Sequence, residues 1–317
     1  MLPEITWFLR GMVLGCCVFS LITMFGSIRQ GHEKQRTHHE HHHLQAPGQE
    51  LRHLAWEANA NLQSSTSVYC MVLVSPQDLL LWAAVKDSWI THCDKAEFFS
   101  SEDVKELESV NVNVSEPWLV MKAAYKYAFD HHQEDYNWFF LILPDTFAVI
   151  ENLKYFLLTK DPAQPFYLGH AIKSGELEYI SVNGGILLSR EAVRRLNSLL
   201  IDPEKCPKRR GLFGSLPGDM QLAFCLKYTG VLAENAEDSK GKDVFNTKSV
   251  RLLIQEAMPH HGNKVIEGCC SDMAVTFSGL SPNQMHVMMY GVYRLRAFGH
   301  VFKDELLFLP PNGSNSD

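Results

Sequence analysis

Several groups of side chains in this chain are of types that could do chemistry. One is a carboxylate, Asp145, ending Leu143-Pro144-Asp145 directly after the apolar run Trp138 to Ile142. Several carboxylates at such a strand end could hold a hard divalent cation through their oxygens. Here one Asp stands beside a leucine and a proline. An Asp or Thr ahead of a helix over 148–158 can equally cap its free N–H groups, and that is the reading these residue types favour. A second group is His38, His39, His41, His42 and His43 around Glu40, whose imidazoles suit a transition metal. The same tract reads as a solvated spacer. A third group is the basic loop Lys208-Arg209-Arg210, able to meet a diphosphate or an acidic partner but read here as solvated.

The elements that must position these groups follow from periodicity. Ser67 to Ser75 is a β-rich run ending at Pro76. Leu81, Val85 and Trp89 fall on one face of a helix over 79–92. Ala96 to Ser100 reads as the next strand. Ser115 is placed to cap a helix with Pro117 in its first turn, burying Trp118, Met121, Tyr125 and Phe129. After the strand at 138–142, Phe147, Ile150, Leu153 and Leu157 recur at helical spacing. "PFYLGH" and "EYISVNGGILLS" are strand-like, and a helix from Ser189 sets Ala192, Val193, Leu196 and Leu200 against Arg194 and Arg195. Alternating strands and helices predict an α/β fold, with a mostly parallel sheet covered by helices. Ligands of such sheets bind beyond the carboxyl ends of the strands, where Asp145 stands.

The chain has 317 residues, 46% hydrophobic and 21% charged, with a net charge of −7, so nucleic-acid binding has no support. Residues 11–28 carry no charge and, with the apolar residues just before them, are long enough to span a bilayer. The expected organisation is a cytosolic tail at 1–10, an uncleaved transmembrane signal anchor at 11–28, a His-rich stem at 29–67 and a lumenal domain at 68–317. Two of the eight cysteines, Cys16 and Cys17, fall in the span. The other six are Cys70, Cys93, Cys206, Cys225, Cys269 and Cys270, which form no CxxC pair and suggest disulfides of open connectivity. Adjacent Cys269 and Cys270 are expected to face different partners, because a bridge between neighbours strains the peptide joining them. Asn113 and Asn312 begin N-glycosylation sequons, the second close to the C-terminus.

"KDSWITHCDKAEFFSS", "YNWFF", "ENLKYFL", the Gly184-Gly185 segment and "GCCSDMAVTF" run in an order that resembles glycosyltransferase family 31. The likeness is to its core 1 β1,3-galactosyltransferase branch, whose enzyme adds galactose to serine- or threonine-linked GalNAc. Within the branch, "HHEHHHLQAP" and the tail from "GVYRLRAFGH" resemble a non-catalytic chaperone of the endoplasmic reticulum. The resemblance implies a GT-A-like, Rossmann-type sheet behind a membrane anchor, in the endoplasmic reticulum or Golgi.

In the enzyme, the resemblance implies Asp-Asp-Asp where this chain has Leu143, Pro144 and Asp145, and manganese bound there with the diphosphate of UDP-galactose. It also implies a Glu-Asp pair where this chain has Gly218-Asp219, one carboxylate serving as base for the acceptor hydroxyl. An exposed Asp219 would be a weak base. With both elements thinned, the expectation is a pseudo-enzyme without cofactor. Its client would be core 1 β1,3-galactosyltransferase, with a homo-oligomer among its states. Two alternatives stand: a galactosyltransferase working through Asp145, and a paralogue that has lost client binding. Apolar stretches "SDMAVTFSGL" and "MHVMMYGVYRL" are candidate client surfaces, or core.

Overall fold

The structure is a computed structural model that describes residues 66–102, 108–200, 205–211, 214–257 and 269–295. By its internal contacts the chain divides into units 1–54 and 55–317, and every described residue belongs to the second. The expected tail, membrane span and His-rich tract lie outside the described residues, as does Asn312. Among the described residues, no helix is long and apolar enough to cross a membrane.

Among the described residues, seven strands make the central sheet: β1 (Val68–Val74), β2 (Lys95–Ser100), β3 (Ser109–Asn111), β4 (Trp138–Ile142), β5 (Tyr167–Gly169), β6 (Ile186–Ser189) and β7 (Ala233–Asn235). Their order is β7-β5-β6-β4-β1-β2-β3. Only β6 runs against its neighbours; the pairings β1 with β2, β1 with β4, β2 with β3 and β5 with β7 are parallel. The α/β expectation of a mostly parallel sheet therefore holds.

Side chains alternate across this sheet because strand residues point to opposite faces in turn. Val68, Cys70, Val72, Trp138, Phe140 and Ile142 enter one core; Tyr69, Met71, Phe139 and Leu141 enter the other. The described helices are α1 (Leu79–Lys86), α2 (Pro117–His132), α3 (Ile150–Leu157), α4 (Arg190–Leu200), α5 (Gly218–Tyr228), α6 (Val250–Ala257) and α7 (Pro282–Tyr293). Helices α2, α4 and α5 cover the second face. Helices α1, α3 and α7 cover the first. All five residues of β4 are fully buried, which is what a central strand between two cores requires.

Local expectations are corrected at four places. The helix expected over 79–92 stops at Lys86, and Trp89 lies in a separate 3-10 turn, Trp89–His92. That break places Cys93 against Cys70. Ser115 does not cap α2: the N-cap is Glu116, without a side-chain cap bond. "EYISVNGGILLS" is not one strand but a short strand Leu177–Ile180, a turn Val182–Gly184, and β6. Gly185 turns the chain there with φ +89, where an added Cβ would lie 2.6 Å from Phe140 Cε2. Finally, α3 begins at Ile150, behind a two-residue strand Phe147–Ala148 that pairs antiparallel with Thr276–Phe277.

Among the described residues, three disulfides are present. Cys70–Cys93 ties β1 to the 3-10 turn, and Cys206–Cys225 ties the basic loop to α5. The third joins Cys269 to Cys270, against the expectation that these neighbours face different partners. The other four described cysteines are consumed by each other, so the adjacent sulfur is the partner left within reach.

Candidate functional site

The sheet reverses its winding between β1 and β4, since β2 and β3 extend it one way and β6, β5 and β7 the other. At such a switch point the strand ends splay and leave a crevice. A cleft of about 370 Å³ lies there, lined by the last residues of β1, by Ser101 after β2, and by Leu143, Pro144 and Asp145 after β4. Leu81 and Val120 supply further apolar lining. Among the described residues, the carboxylates lining it are Asp78 and Asp145.

Leu143 to Thr146 is a tight turn, closed by Thr146 N–H donating to the Leu143 carbonyl at 3.2 Å. Pro144 takes the second position, for which its fixed φ is suited. It is buried. Thr146 is fully buried; its hydroxyl meets Ser278 Oγ at 3.1 Å and the Asn183 carbonyl at 3.4 Å. The Leu280 N–H donates to the Asp145 carbonyl at 2.9 Å.

Asp145 does not cap α3, contrary to the sequence-based expectation. The N-cap is Val149, with no side-chain cap bond, and its own N–H donates to Val275. The paired strand at 147–148 intervenes and directs the Asp145 carboxylate toward the 278–280 loop instead. Burial pushes its pKa above the usual carboxylate range; the Asp78 charge adds to this, while the Gly279 and Asp145 N–H groups and the Thr146 hydroxyl oppose it. Its Oδ1 is buried with no hydrogen-bond partner. Asp78, which the sequence analysis missed, accepts from Ser75 N–H at 3.1 Å in a capping box. The Ser75-Pro-Gln-Asp78 spacing was its visible signal.

Asp219 is also corrected. It is 8% exposed, not solvated. Its Oδ2 accepts from Val182 N–H at 3.2 Å and its Oδ1 from Met220 N–H at 2.9 Å. Burial raises its pKa, opposed by those N–H groups. The turn Val182–Gly184 therefore bridges the two sites: Asn183 receives Thr146, and Val182 holds Asp219. Thr276 Oγ1 donates to the Gly184 carbonyl at 2.7 Å, fixing the same turn from the other side. Gly218 leaves ordinary room, since an added Cβ would contact Trp118 and Met121 at 3.5 Å.

The basic loop is solvated at Lys208, which is exposed, and half-buried at Arg209. Lys208 pairs with Glu116 at 2.5 Å. Arg209 lies over the Phe224 ring at 4.3 Å and donates to the Tyr228 hydroxyl. Gln221 exchanges two hydrogen bonds with the Arg209 backbone. Asn113 is exposed, with φ 53, as an accessible sequon would be. Among the described residues, no group of three or more His, Cys, Asp or Glu side chains is placed to hold a metal ion.

No protein-family model matches the chain. A glycoprotein-N-acetylgalactosamine 3-beta-galactosyltransferase 1 of Xenopus laevis is 27% identical over 279 residues, covering 81% of this chain and 73% of that protein. The relatives of this chain are glycosyltransferases. A β-1,3-glucosyltransferase of Homo sapiens is 27% identical over 159 residues, 46% of this chain and 30% of that protein. Its Mus musculus counterpart is 29% identical over 106 residues, 32% of this chain and 20% of that protein. Among solved structures, the galactosyltransferase LgtC with donor and acceptor sugar analogues has a TM-score of 0.38 at 9% identity, covering 72% of this chain and 97% of that one. A glycosyltransferase involved in glycosylation of the major capsid of PBCV-1 has a TM-score of 0.42 at 12% identity, covering 71% and 100%.

Proposed function

We propose that this chain is a glycosyltransferase-like protein without transferase activity. It serves as a lumenal chaperone for core 1 β1,3-galactosyltransferase, in the manner of that enzyme's dedicated chaperone (Cosmc). The observation that carries this reading is the turn Leu143–Thr146. It stands at the switch-point crevice, where a sugar-nucleotide enzyme would hold its cation, and it presents a leucine and a buried proline. A divalent cation that neutralises a diphosphate needs several oxygen ligands. Asp145 accepts from backbone N–H groups and offers one unpartnered oxygen, Asp78 holds its own turn, and the other described side chains lining the cleft are apolar or hydroxyl-bearing. These residues do not fit that ion.

On this reading the fold is retained because it presents surfaces that an incompletely folded transferase recognises. A signal anchor would hold it in the endoplasmic reticulum membrane. The test is complementation. The full chain, expressed in cells lacking the chaperone, is expected to restore core 1 galactosyltransferase activity. No restoration, with the chain well expressed, would overturn client assistance and leave a paralogue without client binding.

One observation favours a second reading, a working galactosyltransferase. Asp219 is buried with its pKa raised, which is how a fold makes a carboxylate a better base. Transfer of galactose to a GalNAc-bearing peptide by the purified chain, with manganese and UDP-galactose, would establish that reading. The chaperone reading expects no transfer.

A further inference from the structure

We infer that Cys269–Cys270 is a site of thiol–disulfide exchange, a bond built to be opened by a thiol reductant while the other two bridges stay closed. The three bridges differ in what they do for the fold. Cys70–Cys93 and Cys206–Cys225 close loops with sequence separations of 23 and 19, and Cys70, Cys206 and Cys225 are buried. Such loops restrict the unfolded chain, which is the chief way a disulfide stabilises. Cys269–Cys270 has a sequence separation of 1 and closes no loop. It contributes almost nothing of that kind.

Its geometry points the same way. Neighbouring Cα atoms are held 3.8 Å apart by the peptide itself, below the usual span of bridged cysteines of roughly 4.4–6.8 Å. A bridge confined to that span is more readily reduced. Both cysteines are half-buried, so a small thiolate has access. The Lys242 ammonium donates to the Cys270 carbonyl at 3.3 Å. The following acid, Asp272, is paired with Lys240 at 3.4 Å.

The exchange balances as follows. A thiolate attacks Cys269 Sγ, the S–S bond breaks, and its electron pair leaves on Cys270 Sγ, which takes a proton. A second thiol attacks the mixed disulfide, releasing Cys269 as a thiol and the reductant as its own disulfide. Two thiols are oxidised and one protein disulfide is reduced.

The full-length chain in detergent is equilibrated with mixtures of reduced and oxidised glutathione. It is quenched in acid, alkylated with a maleimide, and its peptides are weighed. Cys269 and Cys270 are expected to be labelled together, with an equilibrium constant for opening about 100-fold or more above that of either other bridge. The circular dichroism spectrum should not change across that range. In Cys269→Ser, Cys270 is expected to gain the mass of glutathione from oxidised glutathione without denaturant. The inference is overturned if the pair opens only together with or after Cys70–Cys93 or Cys206–Cys225. It is also overturned if both sulfurs are labelled even in excess oxidised glutathione, or if the lone Cys270 stays unmodified.

Discussion

Asp219 Oδ2 accepts a hydrogen bond from the backbone N–H of Val182 at 3.2 Å, joining the first turn of α5 to the turn that precedes β6. The position that the family resemblance assigned to a base is thus also a structural tie. Asp219→Ala leaves the Val182 and Met220 N–H groups without their acceptor, and is expected to cost about 2–4 kcal/mol. Asp219→Asn keeps one acceptor and loses the buried charge, so its cost should stay below about 1 kcal/mol. Denaturant titration of the two variants measures the difference. Equal losses would contradict this account.

Introducing acidic residues tests the crevice directly. Leu143→Asp with Pro144→Asp places two further carboxylates beside Asp145, and Gly218→Glu enters a position with ordinary room beside Trp118. The triple variant is expected to bind manganese together with UDP-galactose in calorimetry, and the parent is expected to show no metal-dependent binding. A parent that binds as well as the variant would remove the premise of the proposed function.

The pH dependence at Asp145 has a definite sign. Burial raises its folded pKa above the unfolded value, so the folded state holds the proton more tightly. Its contribution to stability is full below the unfolded pKa, near 3.9, and is lost as pH rises through the folded pKa. Asp145→Asn escapes that loss. Its Tm relative to the parent should therefore be higher at pH 7 than at pH 4. A difference that is flat with pH, or of opposite slope, would show that the carboxylate is not destabilised by burial.

Glu191 has the opposite sign. Arg194 and Arg195 on the same helix hold its pKa down to about 2. Its stabilisation is present above the unfolded pKa, near 4.3, and fades as pH falls toward 2. Glu191→Gln should lose about 1 kcal/mol at pH 7 and nothing near pH 2, read from Tm against pH.

At Gly185 the backbone sits at φ +89, with Phe140 where a side chain would go. Gly185→Ala must strain the turn or push the ring, for a cost of about 3 kcal/mol. Thermal unfolding should shift down by roughly 10 °C. The same substitution at Gly175, where nothing lies within 4 Å, also carries φ +63 and so isolates the backbone part.

The core was legible residue by residue. Phe139 and Phe140 in β4, and Val193 and Leu196 in α4, are buried where periodicity put them, because alternation and helical spacing are local properties of the chain. Asp145 as a cap was a fair local inference too. It failed because Phe147 pairs with Phe277 and Ala148 with Thr276, partners some 130 positions away that no neighbouring residue announces. Cys70 choosing Cys93, Asp219 sinking beneath Val182, and Arg209 lying on Phe224 are decisions of the same kind. By itself the sequence determined which residues must leave water and which strands must be central, since burial follows the pattern of apolar side chains. Only the tertiary structure decided what each remaining polar group would meet, because a hydrogen bond or disulfide depends on positions in space that distant segments supply.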